Sequence, residues 1–295
     1  MDDIINNLKT TFRRGSILTR LIYINVGIFL VIRIAGIICT LFNTNIDWML
    51  QYLEFPASPE NFLRQPWTLI TYMFVHYDVL HILFNMLWLY WFGKMLLDYL
   101  NERQLLGVYL LGGIAGALLF MAAYNIFPYF QNVAPFSTLM GASASVMAIV
   151  FAIALIWKDG YVDLFLFGRI KLIYLALFTL FIDLLSITSY NAGGHWAHIG
   201  GTLFGVLFAL RYTRAGKDLT QPLNRVLDWL VNLGKRRPKM KVSYTNTKRA
   251  ADYEYNARRK ANEDTINTIL EKLKRSGYES LSSDEKRQLF DASKK

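Results

Sequence analysis

The sequence predicts an all-α polytopic membrane protein with a small helical tail, and three observations carry that reading. Hydrophobic residues make up 54% of the 295-residue chain and charged residues only 18%, a balance too apolar for an ordinary soluble fold. The apolar residues gather in six runs, at about 21–42, 80–100, 104–126, 141–157, 172–188 and 196–213, each near the ~20 residues a helix needs to cross a bilayer. The chain has four histidines, His76 with His81 and His195 with His198, and both pairs stand at the head of an apolar run.

Taken in order, residues 1–20 open acidic and delay the first apolar run, unlike a cleaved signal peptide, so the first span is expected to be retained. That span holds Cys39, the one cysteine of the chain, which excludes an internal disulfide and a thiolate metal cluster. The fourth and fifth runs are about 17 residues each, or ~25 Å against a hydrocarbon core of ~30 Å, so their ends must be recessed or capped by loops. Lys9, Arg13, Arg14 and Arg20 precede the first span, Lys94 and Arg103 flank the second turn, Lys158, Arg169 and Lys171 join the fourth and fifth spans, and Arg211, Arg214 and Lys217 follow the sixth. The excess of basic residues on cytoplasmic loops puts both termini in the cytoplasm. A multi-pass protein of the cell membrane, in a bacterium the inner membrane, is the expected setting.

That topology runs spans two, four and six from the outside inward, so their N-terminal ends meet at one face. His76, His81 and Asn85 lead into span two, Ser143 opens span four, and His195 and His198 open span six. Helix N-termini carry unpaired N–H groups and partial positive charge, and so favour an anion. In span four Gly141 admits a close backbone, and Ala144, Ala148 and Ala152 form a small face. In span six His198, Gly201 and Gly205 fall on one side. Packing these faces together would set the Ser143 hydroxyl ~3 Å from His198, as nucleophile and general base. His81 and Asn85, at i and i+4, are candidate oxyanion donors.

Other readings stand beside this one. Small residues and a serine also serve as packing between membrane helices, and His81 with Asn85 could simply satisfy each other. Histidines on one face could hold zinc, although there is no H-E-x-x-H pattern, no nearby cysteine and no carboxylate placed as a general base. A transporter would be expected to show a repeat between halves or corresponding broken helices, and none is found. Arg33 and Asp183 are charges within spans, for which function is the default hypothesis and packing the alternative. Neither Asp78 nor Asp183 has a spacing that implies a triad with His198, so a Ser–His dyad fits better.

The order and spacing of "HYDVLHILFN", "GASA" and "AHIGGTLFG" over roughly residues 16–215 resemble the rhomboid intramembrane serine proteases. The resemblance implies a six-span rhomboid-like bundle over residues 21–213. It implies Ser143 as nucleophile, His198 as base, His81 and Asn85 as oxyanion donors, and His76 as a structural histidine; Gly141, Gly201 and Gly205 support the site. "QPWTLITYMF" is similar to the end of that family's lipid-facing first loop, with Trp67-Thr68 where relatives often have Trp-Arg. Ala144 replaces the family's usual glycine and Met147 a frequent aromatic, changes that bear on rate rather than reaction type. His195 matches no catalytic role and reads as a rim residue. The implied reaction is hydrolysis of peptide bonds in or near transmembrane helices of single-span proteins, without metal or cofactor.

Residues 214–295 hold 20 basic and 11 acidic side chains against 12 and 11 in the first 213. Beside a membrane such an excess points to the lipid surface, and nucleic acid is not expected as a partner. Residues 214–242 read as a basic interfacial helix and linker, with Leu223, Val226, Leu227, Leu230 and Val231 on one side. Residues 243–295 read as a cytoplasmic helical hairpin: Ile266, Ile269, Leu270 and Leu273 form a stripe, Gly277 stops the first helix, and Ser282 with Glu285 caps the second. This tail is open to docking by a cytoplasmic partner.

Overall fold

The computed structural model describes residues 2–164, 168–232 and 247–292. The chain forms two compact units, Met1–Gly234 and Lys235–Lys295.

Each of the six apolar runs is helical: Ile17–Leu41, Val79–Leu97, Glu102–Ile126, Ser143–Ile156, Leu172–Leu185 and Ala192–Ala215. Local capping sets several starts. The Ser16 hydroxyl accepts from the Thr19 N–H, Asp78 accepts from the His81 N–H at 2.9 Å, and Asn101 and Gln104 close a reciprocal capping box, so orphan N–H groups at three helix starts gain acceptors.

By length and composition three of the described helices are able to cross a membrane: Ile17–Leu41, Val79–Leu97 and Glu102–Ile126. Of the six expected spans, these three meet that measure, and the reasons the other three do not are physical. Helices Ser143–Ile156 and Leu172–Leu185 have 14 residues each, about 21 Å. Helix Ala192–Ala215 is long enough at 24 residues but carries His195, His198, Arg211 and Arg214, which lower its mean hydropathy.

The short helix Ser143–Ile156 is the most enclosed, with every residue from Ala144 to Ala154 buried. It packs against Ala192–Ala215, Glu102–Ile126 and Val79–Leu97. Small residues make this possible. A Cβ on Gly201 would run into the Ala144 carbonyl and one on Gly205 into the Ala148 carbonyl, while Gly112 and Gly116 meet the Ala148 and Ala144 side chains. Backbone lies on backbone, the arrangement membrane helices adopt where dispersion and shape must replace a hydrophobic drive.

The long first loop is tied to the segment that enters this helix. Strand β1 (Phe55–Pro56) pairs antiparallel with β2 (Thr138–Leu139), Phe55 opposite Leu139. The Thr138 hydroxyl donates to Glu54 at 2.5 Å, and the Gly141 N–H donates to the Tyr72 carbonyl at 2.9 Å. In the same loop the Trp67 indole N–H donates to the Tyr52 carbonyl.

Helix Gln221–Asn232 divides the stripe expected to lie on the membrane: Leu223 and Leu227 pack on the core, whereas Val226, Leu230 and Val231 are exposed together with Trp229. The helix is thus also held to the bundle, by Arg103 donating to Asp228 at 2.6 Å. The basic run 235–241 lies outside the described residues. In the second unit, helix Thr247–Ser276 ends at Gly277, with φ of 75°, and helix Ser283–Ala292 follows. The Ser282 N–H donates to Glu285 and the Ser282 hydroxyl accepts from the Glu285 N–H, while Ile269 and Leu281 are buried.

Gly201→Leu is expected to lower stability by more than the ~1–3 kcal/mol of ordinary overpacking, because the obstacle is rigid backbone. Gly27→Ala, in a helix with nothing within 4 Å of an added Cβ, should be neutral or stabilising by up to ~1 kcal/mol. Thermal unfolding in detergent reads both. Equal unfolding temperatures for the two variants would refute the role given to the Gly201 contact.

Candidate active site

The three motifs meet in one cavity of about 680 Å³ whose lining includes His81, Asn85, Ser143, Asp183 and His198. Ser143 is the first residue of its helix, and Ala142 before it makes no side-chain cap, so the hydroxyl stands at a helix N-terminus. The Ser143 hydroxyl is not hydrogen-bonded to His198 among the described residues. They share a cavity rather than the expected ~3 Å contact; unliganded sites often tighten such bonds only around substrate.

Two histidines shape the turn into Ser143. The His76 ring is buried, and its Nε2 accepts from the Ala142 N–H at 3.2 Å. That bond assigns the proton to Nδ1. Burial and the neighbouring His81 ring, 5.1 Å away between centroids, push the His76 pKa down to about 3. Gly141 has φ of +112°, and a Cβ there would meet His81 Cε1 at 2.8 Å and Nε2 at 2.9 Å. Beside the Tyr72 carbonyl that its N–H meets, Gly141 thus also admits the edge of the His81 ring, at a φ that glycine tolerates. Asn85 donates one amide hydrogen to the His81 carbonyl at 2.9 Å, which fixes the side chain facing the cavity. Asp78 is spent on the N-cap of the same helix.

The principal correction concerns Asp183. Its Oδ1 lies 2.8 Å from His198 Nδ1 and 2.8 Å from His195 Nδ1, and its side chain is 7% exposed. A carboxylate does orient His198, and a neutral His198 bonded in this way has Nε2 as its free acceptor. Sequence spacing does not reveal the contact because the partners belong to different helices, although Asp183 stands out in the sequence as a charge inside a span. His195, expected at the rim, bonds the same oxygen. The four histidines therefore do not form one metal set; among the described residues the group that could hold an ion is Asp183, His195 and His198, with ligand atoms within 4.8 Å of one another.

Gly201 and Gly205 stand one and two turns below His198, at the helix contact that brings its ring to the Ser143 end. Met147 is buried and lines the cavity. Arg33 takes no part: its guanidinium lies 4.7 Å from the centre of the Tyr77 ring.

Residues 63–215 match the model of the Rhomboid domain. The chain belongs to the rhomboid family. Residues 250–295 match a second model, described as a family of unknown function, DUF6576. The human protein named "Presenilin-associated rhomboid-like protein, mitochondrial" is 27% identical over 174 residues, 54% of this chain and 41% of that protein. "RHOMBOID-like protein 12, mitochondrial" of Arabidopsis thaliana is 28% identical over 191 residues, 61% and 54%. "Rhomboid protease GlpG" of Pectobacterium atrosepticum is 22% identical over 199 residues, 67% and 63%. The rhomboid chain thus spans less than two thirds of the length of each. Family and apolar helices make it a membrane protein, while the mitochondrial relatives give no support to the expected bacterial inner membrane.

A pH dependence follows from His76. Its folded-state pKa lies below the ordinary 6.5, so the unfolded chain binds the proton first and stability falls as pH drops from about 6.5 towards 3. His76→Gln, which can still accept from the Ala142 N–H, should lose less of its unfolding temperature over that range than the unaltered protein. Parallel curves for the two would remove His76 as the cause.

Proposed function

We propose that this rhomboid is an intramembrane serine endopeptidase. The observation that supports this best is Ser143 at a helix N-terminus in one cavity with His198, whose Nδ1 is held by the buried Asp183. The Ser143 oxygen attacks the scissile carbonyl carbon as His198 Nε2 takes the hydroxyl proton. His81, the second Asn85 amide hydrogen and the Ser143 N–H are the donors proposed for the developing oxyanion. His198 then gives its proton to the leaving amine, and water, deprotonated by the same nitrogen, releases the acyl group from Ser143. Asp183 is a positioning residue: it keeps the His198 proton on Nδ1 and stabilises the transient imidazolium.

The substrate class follows from the surroundings. Leu80 and Phe84 on one side and Phe178 and Ile182 on the other line the cavity and are also exposed, so a membrane-spanning helix can approach between Val79–Leu97 and Leu172–Leu185 from the bilayer. Its carbonyls are already hydrogen-bonded, so it must unwind locally, and glycine or other helix-weakening residues near its outer end should favour cleavage. All six helices traverse the membrane in this reading, both termini are cytoplasmic, and the exposed Val226, Trp229, Leu230 and Val231 lie in the inner interface.

Ser143→Ala and His198→Ala are each expected to abolish cleavage of a purified single-span substrate, and the double variant to lose no more, since members of one catalytic unit do not add. Asn85→Ala should retain partial activity, about 10²–10³ slower or less where other donors compensate. Asp183→Asn should lower kcat strongly, by up to ~10⁴, with little change in KM, because an amide can hold the wrong tautomer. Cleavage surviving in Ser143→Ala, or abolished by a chelator and restored by zinc, would sink the reading.

Topology has its own test, on a Cys39→Ser background. An impermeant thiol reagent applied to intact cells should label Asn45→Cys and spare Lys248→Cys, and the reverse pattern would invert the proposed orientation.

A further inference from the structure

The group Asp183, His195 and His198 has a feature that positioning a base does not require: two imidazoles turn the same nitrogen, Nδ1, towards one carboxylate oxygen, each at 2.8 Å. His195 and His198 are three residues apart on one helix, and Asp183 comes from a second, so backbone on two sides holds the three donor groups. Two nitrogens and one oxygen are a donor set suited to zinc and similar divalent ions, which take a water in a fourth position. The cavity reaches the cluster through Asp183, Gly194 and His198, and the two rings are 19% and 22% exposed, so an ion and its water have access.

We propose that Asp183, His195 and His198 form an inhibitory site for a zinc-like divalent cation. The proposal rests on the protease reading for its consequence, though not for the binding itself. An imidazole that ligates through Nδ1 carries its remaining proton on Nε2. In neutral His198 the proton now held against Asp183 moves to Nε2, with none lost to solvent. Nε2 then cannot take the Ser143 proton, and Asp183 is withdrawn from orienting the base. The ion blocks the nitrogen chemistry needs without touching Ser143, and its removal restores the tautomer. His195 acquires a role: without it the site has two protein ligands and holds the ion weakly.

The test uses the full chain in detergent. Ser143→Ala protein, stripped of metal and dialysed against zinc, should bind one equivalent, and the Ser143→Ala/His195→Leu variant should bind at least about tenfold more weakly, since even second-sphere partners cost 10–100-fold. Cobalt(II) added to the Ser143→Ala protein should give visible d–d absorption that zinc displaces, a readout free of the second substitution. Cleavage by the unaltered protein should be inhibited by zinc and recovered with EDTA. His195→Leu, compared with its own metal-free rate, should need at least about tenfold more zinc for the same inhibition. Absence of stoichiometric zinc on Ser143→Ala, or equal zinc sensitivity with and without His195, would overturn the proposal. Stoichiometric binding in a protein that cleaves nothing under any condition would uphold the metal site and overturn the protease reading.

Discussion

The close approach of Gly201 and Gly205 to the carbonyls of Ala144 and Ala148 is the contact on which the rest of the site depends. A side chain at either glycine would push the two helices apart by more than an ångström, and His198, one turn above Gly201, would move away from the Ser143 end of the partner helix. Gly112 and Gly116 repeat the device on the third helix, so Ser143–Ile156 is held on two sides by backbone rather than by flexible side chains. Such packing gains little per contact, but it is stiff. Stiffness matters where a reacting atom must be held within a fraction of an ångström.

On this frame Asp183 adds a polar tie between helices Leu172–Leu185 and Ala192–Ala215. A carboxylate that is 7% exposed on its side chain would be costly alone, and two N–H donors on one oxygen offset much of that cost. The same bonds fix which nitrogen of a neutral His198 is free, so one arrangement answers a stability problem and, in the proposed reading, a catalytic one. His76 makes a comparable tie next to Ser143: its Nε2 accepts from the Ala142 N–H, on the backbone that leads into Ser143, and its burial disfavours the protonated ring.

Much of this was legible in the sequence. The apolar runs located the helices, and the small faces of Ala144/Ala148 and Gly201/Gly205 identified the pair that packs. Helix-start logic and the family resemblance point to Ser143, His198, His81 and Asn85, and the fold brings them to one cavity. What escaped was tertiary. No spacing rule links Asp183 to residues 12 and 15 positions later, because a loop intervenes. The inferred topology nevertheless carried a clue: span five ends where span six begins, so a carboxylate near the end of one shares its depth with histidines at the head of the other. Helix Gln221–Asn232 was read from periodicity alone, which marks its apolar residues without saying which meet protein, as Leu223 and Leu227 do, and which are exposed, as Val226 and Leu230 are.

Hydrolysis within a membrane needs water at the nucleophile and a low dielectric around the charge that forms, two conditions that usually oppose each other. The length of helix Ser143–Ile156 reconciles them in the proposed reading. At 14 residues it spans about 21 Å of a ~30 Å core, so a cytoplasmic end at the inner interface leaves Ser143 roughly 9 Å beneath the outer one. A cavity of about 680 Å³ above it has room for several waters, at ~30 Å³ each, and for an unwound segment of substrate. Below it stand the mostly apolar buried residues of the same helix and its neighbours. The oxyanion therefore forms at the floor of a wet cavity but against donors backed by apolar protein, where their dipoles are screened less than in bulk water.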